Sequence, residues 1–246
     1  MNESSETQED REMPQDPIVV AIDGPAGSGK STVAKMIADR TSLEYLDTGA
    51  MYRAVTYAVL RRQVDPEDAD AAAAVAQNCT IAQEPDGRVL VDDLDVTIEI
   101  RSNLVSSVVS TVSAHESVRR ELVSQQRQWI RRRNGGVLDG RDIGTAVFPD
   151  ALLKVYLVAD PHVRAARRAL ESVDPADAPE AYAAECDRLL GEMRRRDTFD
   201  SEREHDPLRK ADDAITVDTS DMTIEDVIVH ILELLDGVAP TSSITS

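Results

Sequence analysis

Cysteine, aromatic residues, lysine and net positive charge are all scarce in this chain of 246 residues. Cys79 and Cys186 lie far apart without C-x-x-C spacing, which argues against a disulfide scaffold and fits a reducing cytoplasm. No run of about 18 apolar residues occurs, so no membrane span is expected. The four histidines (His115, His162, His205 and His230) are scattered, which disfavours a histidine-based metal centre. Residues 1–16 are polar and acidic with no apolar centre, so a disordered tail is expected there rather than a secretory leader. A second such tail is expected over 239–246. Acidic residues number 46 against 27 basic ones, and the net charge of −19 argues against general affinity for nucleic acid or anionic membrane. No Asn-Lys-x-Asp motif is present, which counts against a guanine-nucleotide switch.

What the chain does have is concentrated at residues 24–31, which read Gly24-Pro25-Ala26-Gly27-Ser28-Gly29-Lys30-Ser31 and are followed by Thr32. This is the phosphate-cradling pattern G-x-x-x-x-G-K-[ST]. The apolar run Ile18–Ile22 before it suits a buried parallel strand, and Val33, Ala34, Met36, Ile37 and Ala38 after it suit one face of a helix. Glycines let the backbone bend sharply and approach phosphate oxygens with no Cβ in the way. Backbone N–H groups and the helix N-terminus then face the anion, Lys30 reaches the β- and γ-phosphates, and Ser31 offers its hydroxyl to Mg²⁺. The pattern predicts binding of a nucleoside triphosphate.

The rest alternates strand and helix, which predicts a parallel sheet with helices on both faces. Apolar pieces at 43–46, 137–138, 152–158 and 214–217 read as strands. Helices are expected over 50–62, 68–77, 101–113, 118–133, from Pro161, over 179–196 and over 224–235. Ser117 is expected to cap the helix over 118–133, which Gly135-Gly136 ends. The texture changes at 80–98. Thr80–Gln83 and Arg88–Val91 flank Pro85-Asp86-Gly87 as a hairpin, and Asp95–Ile98 is expected to add a third antiparallel strand.

Ligands in such a sheet bind at the carboxyl ends of the strands. Three polar clusters fall there: Asp47–Arg53, Asp139–Asp142 and Arg194–Arg203. Arg53, one turn into a helix, can fork two hydrogen bonds onto a phosphate, while Thr48 is either a helix cap or a phosphate ligand. Asp139 at a strand end beside a phosphate loop suits the Mg²⁺ shell, and Arg141 suits neutralisation of a transferred phosphoryl group. An ordinary ion pair is the plainer alternative for both. In the third cluster, Arg196, Asp200 and Arg203 are spaced to share a helical face, and the segment runs from a helix end into a polar loop suited to a lid. A triphosphate loop, arginines for a second phosphate and a lid together predict a kinase acting on a small phosphorylated acceptor.

Four segments make the likeness specific: GPAGSGKST at 24–32, YLDTGAMYRAV at 45–55, LDGRDIGTAVFPDA at 138–151 and RRRDTFDSER at 194–203. Through them the chain resembles the bacterial cytidylate kinases, from about Ile18 to Leu235. The resemblance implies an α/β phosphate-loop kinase domain over 17–238, with a CMP-binding insert at about 48–118 and a helical lid at about 170–210. It implies ATP and Mg²⁺ as cofactors, transfer of the γ-phosphoryl group to CMP or dCMP, and a cytoplasmic monomer without nucleic-acid or membrane partners. Gly24 through Thr32 would hold ATP. Lys30, Arg141 and Arg196 would be catalytic, with Ser31 and Asp139 at the metal. Thr48, Arg53, Arg141 and Arg196 would hold the CMP phosphate, with Tyr52 packed near the nucleotide. Ser110, Arg119 and Asp142 would read the cytosine with Arg203 nearby, and Asp200 would bond the sugar. Phe199 stands where some relatives carry a basic residue. The alternatives are a kinase for UMP, dTMP or another small metabolite, and a nucleotide-dependent switch without turnover.

Overall fold

The computed structural model describes residues 17–238, so both expected tails, 1–16 and 239–246, lie outside the described residues. The chain begins with β1 (Ile18–Asp23), α1 (Lys30–Thr41), β2 (Tyr45–Asp47), α2 (Thr48–Arg61) and α3 (Ala69–Gln77). A small antiparallel sheet follows, made of β3 (Ile81–Gln83), β4 (Val89–Val91) and β5 (Leu94–Asp95). A 3₁₀ turn (Glu99–Arg101) leads to α4 (Asn103–Ala114) and α5 (Glu116–Arg133). Then come β6 (Gly135–Gly140), a π-helical turn (Ile143–Val147), β7 (Leu153–Val158), α6 (Pro161–Ala169), α7 (Pro179–Glu202), β8 (Ile215–Asp218) and α8 (Ile224–Val238).

The main sheet has the order β2-β6-β1-β7-β8, and every pairing in it is parallel. Its central strand shows why both faces are covered. Side chains alternate along a strand, so Val19 and Ala21 enter one core while Val20 and Ile22 enter the other. The first core is closed by α2, α3 and α5 through residues such as Val55, Ala72 and Leu122, and the second by α1 and α8 through Ile37 and Ile231. Full burial on both faces is what a nearly continuous apolar strand demands. Each such Val or Ile contributes about 1.5–3 kcal/mol.

Local chemistry shifts several expected boundaries. The third antiparallel strand starts at Leu94, not Asp95, because Asp92 and Asp93 both take positive φ (51° and 64°). That two-residue turn sets Val91 opposite Leu94. Ser117 is not the cap of α5. His115 occupies that position, and the Ser117 hydroxyl donates to the Ala69 carbonyl at 3.2 Å. Nor do the two glycines end α5. Asn134 does so in the left-handed conformation (φ 55°), and Gly135-Gly136 opens β6. A side chain on Gly135 would press within 2.6 Å of the Ile18 carbonyl, so the glycine serves the close pairing of β6 with β1. Finally, α7 runs six residues beyond 196, so the arginine-rich segment expected to be partly loop is helical to Glu202.

Candidate active site

The phosphate loop spans the turn from β1 into α1. Gly24, Gly27 and Gly29 have φ of 150°, 74° and 89°, and a Cβ on Gly24 would collide with the Leu157 carbonyl. Only glycine fits that path. Helix α1 has no side-chain cap and no acidic residue in its first turn, so its leading N–H groups remain available to an anion. Lys30 folds back over the loop, its Nζ donating to the Pro25 carbonyl at 2.7 Å. Burial pushes this ammonium down to about 7; Arg141 and Arg196 add to the depression, while Asp139 and Asp23 oppose it.

Asp139, near the end of β6, joins the loop to the second strand. It accepts from the Ser31 hydroxyl (2.7 Å, Oδ2) and the Tyr45 hydroxyl (2.7 Å, Oδ1). Burial raises it to about 6, with Asp47 adding to that and Lys30, Tyr45 and Ser31 opposing. Thr48 is not the helix cap. Asp47 caps α2, accepting from the Ala50 N–H at 2.8 Å, and the Thr48 hydroxyl instead donates to the Asp139 carbonyl at 2.6 Å. No group of three or more His, Cys, Asp or Glu side chains able to hold a metal occurs among the described residues. One hydroxyl and one carboxylate beside a phosphate loop do fit Mg²⁺, which takes few protein ligands and completes its shell with phosphate and water.

Beyond the loop, cations outnumber their partners. Arg141 donates from Nε to Asp200 Oδ2 at 2.9 Å, and Arg196 Nε lies 3.9 Å from the same oxygen. Arg196 Nε is buried with no hydrogen-bond partner. Its pKa falls to about 10 through burial, with repulsion from Arg141 and Arg53 adding to it. Arg53, on α2, donates to the Ile100 carbonyl (3.0 Å) and the Ser106 hydroxyl (2.9 Å) and is likewise lowered to about 10, by burial first and then by Arg101. Arg141 and Arg196 thus share Asp200 and each repels both Lys30 and Arg53, an arrangement that suits a multiply charged anion.

The neighbouring cluster is balanced. Arg119 is 2% exposed and donates to Asp142 through Nη2 and to Asp206 through Nε at 2.9 Å. Its guanidinium lies 5.4 Å from the centroid of the Tyr52 ring. Arg203 Nη2 sits 3.4 Å from the other Asp142 oxygen, and its Nε donates to the Asp206 carbonyl at 2.7 Å. Asp23 holds the loop behind them, accepting from the Ile143 and Gly144 N–H groups at 2.8 and 2.7 Å. Ser110 is half-buried on α4, one turn before Ser113, whose carbonyl accepts from Arg119 Nη1 at 3.4 Å.

The structure therefore gathers the expected residues into two adjoining groups and attaches Ser110 to the second only through its helix. Four residues with roles here were not anticipated: Asp23, Tyr45, Ser106 and Asp206. Some signals were available. Asp23 directly precedes Gly24, and Ser106 lies one helical turn from Ser110.

The model of the cytidylate kinase family matches residues 20–237. The chain is 46% identical over 222 residues to a cytidylate kinase of Bacillus pumilus, covering 89% of this chain and 96% of that one. With a cytidylate kinase of Mycobacterium avium the identity is 47% over 221 residues, covering 89% and 95%. A solved structure of an uncharacterised protein from Eubacterium ventriosum, 13% identical, aligns over 90% of this chain and 99% of that one with a TM-score of 0.50. That last likeness concerns the fold alone.

Proposed function

This chain belongs to the cytidylate kinase family, and from that membership we propose how its residues move the γ-phosphoryl group of ATP onto CMP or dCMP. It is an ATP-dependent phosphotransferase, so two phosphorylated ligands must meet with water excluded. The loop Gly24–Thr32 takes the donor phosphates on its backbone N–H groups and Lys30. Thr48, Arg53, Arg141 and Arg196 take the acceptor phosphate. Arg119, Asp142 and Arg203, with Ser110, read the cytosine edge beside Tyr52, and Asp200 takes the sugar hydroxyls. Mg²⁺, held through Ser31 and Asp139, would neutralise charge on the donor phosphates. The work of the enzyme groups is to align oxygens and spread charge, because phosphoryl transfer needs little covalent help. The free Cys79 and Cys186 suit the cytoplasm.

One observation carries this assignment: Arg196 Nε is buried and unpartnered among Lys30, Arg53 and Arg141, beside the fully paired Arg119–Asp142. An unsatisfied cationic hole next to a satisfied polar one fits a phosphate attached to a base. ADP formation from ATP with CMP, dCMP, UMP, AMP or dTMP, each offered alone, tests it. Turnover should be fast with CMP and dCMP. UMP should be worse by about 10⁴-fold in kcat/KM, since the wrong base leaves buried groups unpaired. UMP within about tenfold of CMP would defeat the base-reading assignment.

A further inference from the structure

Two charged residues without a role in the account above grip the tip of the phosphate loop. The Ala26 N–H donates to Asp197 Oδ1 at 3.0 Å, and the Ala26 carbonyl accepts from Arg164 Nη1 at 2.7 Å. The same Nη1 donates to Asp197 Oδ2 at 2.7 Å, closing a three-membered ring of contacts. Arg164 comes from α6, where its Nε is also tied to the Ala159 carbonyl at 3.2 Å, and Asp197 comes from α7. Their side chains are only 6% and 18% exposed. One helical turn before Asp197, Met193 lies against Gly27: a Cβ on that glycine would come within 2.9 Å of the methionine Cε. The lid helix is thus docked on the donor loop by the two backbone polar groups of Ala26, one ion pair and one apolar contact.

We propose that Asp197 and Arg164 are positioning residues that latch the lid helix to the donor loop, so that loading the loop also sets Arg196 at the acceptor phosphate. The geometry gives the physical link. Arg196 directly precedes Asp197 on a continuous helix, so fixing the Asp197 carboxylate on Ala26 fixes the start of the Arg196 side chain. Both backbone polar groups of Ala26 are engaged, so a loop that tightens around phosphate must carry the latch with it. Arg164 supplies the counter-charge that keeps Asp197 from repelling the donor phosphates. The ion pair is largely buried, so removing either partner leaves the other charge poorly solvated.

The latch rests on the kinase reading above, and its test separates the two. Steady-state kinetics should compare Asp197→Ala, Arg164→Met and their double variant. Each single change should lower kcat about tenfold, a ratio corresponding to about 1.4 kcal/mol, while the preference for CMP over UMP stays as in the parent. The double variant should be no worse than the poorer single one, as expected of residues acting as one unit. Asp197→Asn keeps an acceptor for Ala26 but loses the ion pair, so it should fall between parent and alanine; it also preserves the test should the alanine variant unfold. Effects under twofold, or single effects that multiply in the double variant, would overturn the latch. A second readout needs no turnover. ADP should slow tryptic cleavage after Arg194 and Arg195 in the parent but not in Asp197→Ala, and equal protection of both proteins would refute the coupling. A parent protein that failed to phosphorylate CMP would instead defeat the kinase reading.

Discussion

The two arginine groups of the site sit side by side and follow opposite electrostatic designs. Around Arg119, charges are matched: two guanidinium groups, Asp142 and Asp206 satisfy one another in a network that is buried except at Asp206. Around Arg196, cations exceed anions, and one buried Nε has no partner. A neutral base needs a rigid pattern of donors and acceptors, which a matched network supplies without help from the ligand. A phosphate brings its own charge, so its site is left short of anions and is strained until the ligand arrives. The first group should therefore support the fold, and the second should weaken it in exchange for binding.

Three variants test that contrast, in falling order of effect. Lys30→Ala should cut kcat by about 10³-fold, since a positioned cation facing developing charge is worth that much, while circular dichroism shows the fold intact. Unchanged turnover would remove the phosphate loop from the chemistry. Next, Asp142→Ala should lower unfolding free energy by about 3 kcal/mol, because it strips a partner from the buried Arg119. Arg196→Ala should lower kcat about 100-fold, beyond any rise in KM, and leave the denaturation midpoint of the ligand-free protein unchanged or higher. Equal destabilisation by the two changes would erase the distinction between the groups.

The smallest effect concerns pH. Burial pushes Asp23 from 3.8 to about 7; its bonds from Gly144 and Ile143 oppose this, Asp142 adds to it and Lys30 opposes it. Between those values the folded chain holds a proton that the unfolded chain has released. The stability Asp23 contributes is thus fully present below pH 3.8 and is lost as pH rises toward 7. Exposed carboxylates such as Glu225, lowered by its hydrogen bond with Arg40, act in a different window, below 4.5. Denaturant unfolding of the ligand-free protein from pH 4.5 to 7.5 should show a decline that Asp23→Asn flattens. An identical slope in both proteins would contradict the Asp23 assignment.

How readable each part was in the sequence follows from how local its causes are. The run from Ile18 to Ala38 was legible as strand, loop and helix because glycine, lysine and apolar spacing act within a few residues of one another. The antiparallel insert was legible from its turn, though Asp92 and Asp93 moved its last strand. Among the acceptor residues, Thr48, Arg53, Arg141 and Arg196 stood out in polar clusters at strand ends, whereas Arg119 was reached only through the family resemblance, since the five come from three helices and a loop. Thr48 shows the limit of local reasoning. The residue type suits a cap, yet Asp47 captured that role because pairing of β2 with β6 placed Thr48 against the Asp139 carbonyl.

By itself, the sequence determined that a phosphate loop would form, that a parallel sheet would be covered on both faces, and that no described helix would be long and apolar enough to cross a membrane. These depend on composition, period and backbone freedom, all carried by neighbouring residues. Only the tertiary structure decided which charges find partners. Asp142 and Asp206 neutralise Arg119, Asp197 closes on Ala26 and Arg164, and Arg196 is left over. Coulomb energy depends on separation and burial, and residues such as Ala26 and Asp197, 171 positions apart, acquire both only when the chain has folded.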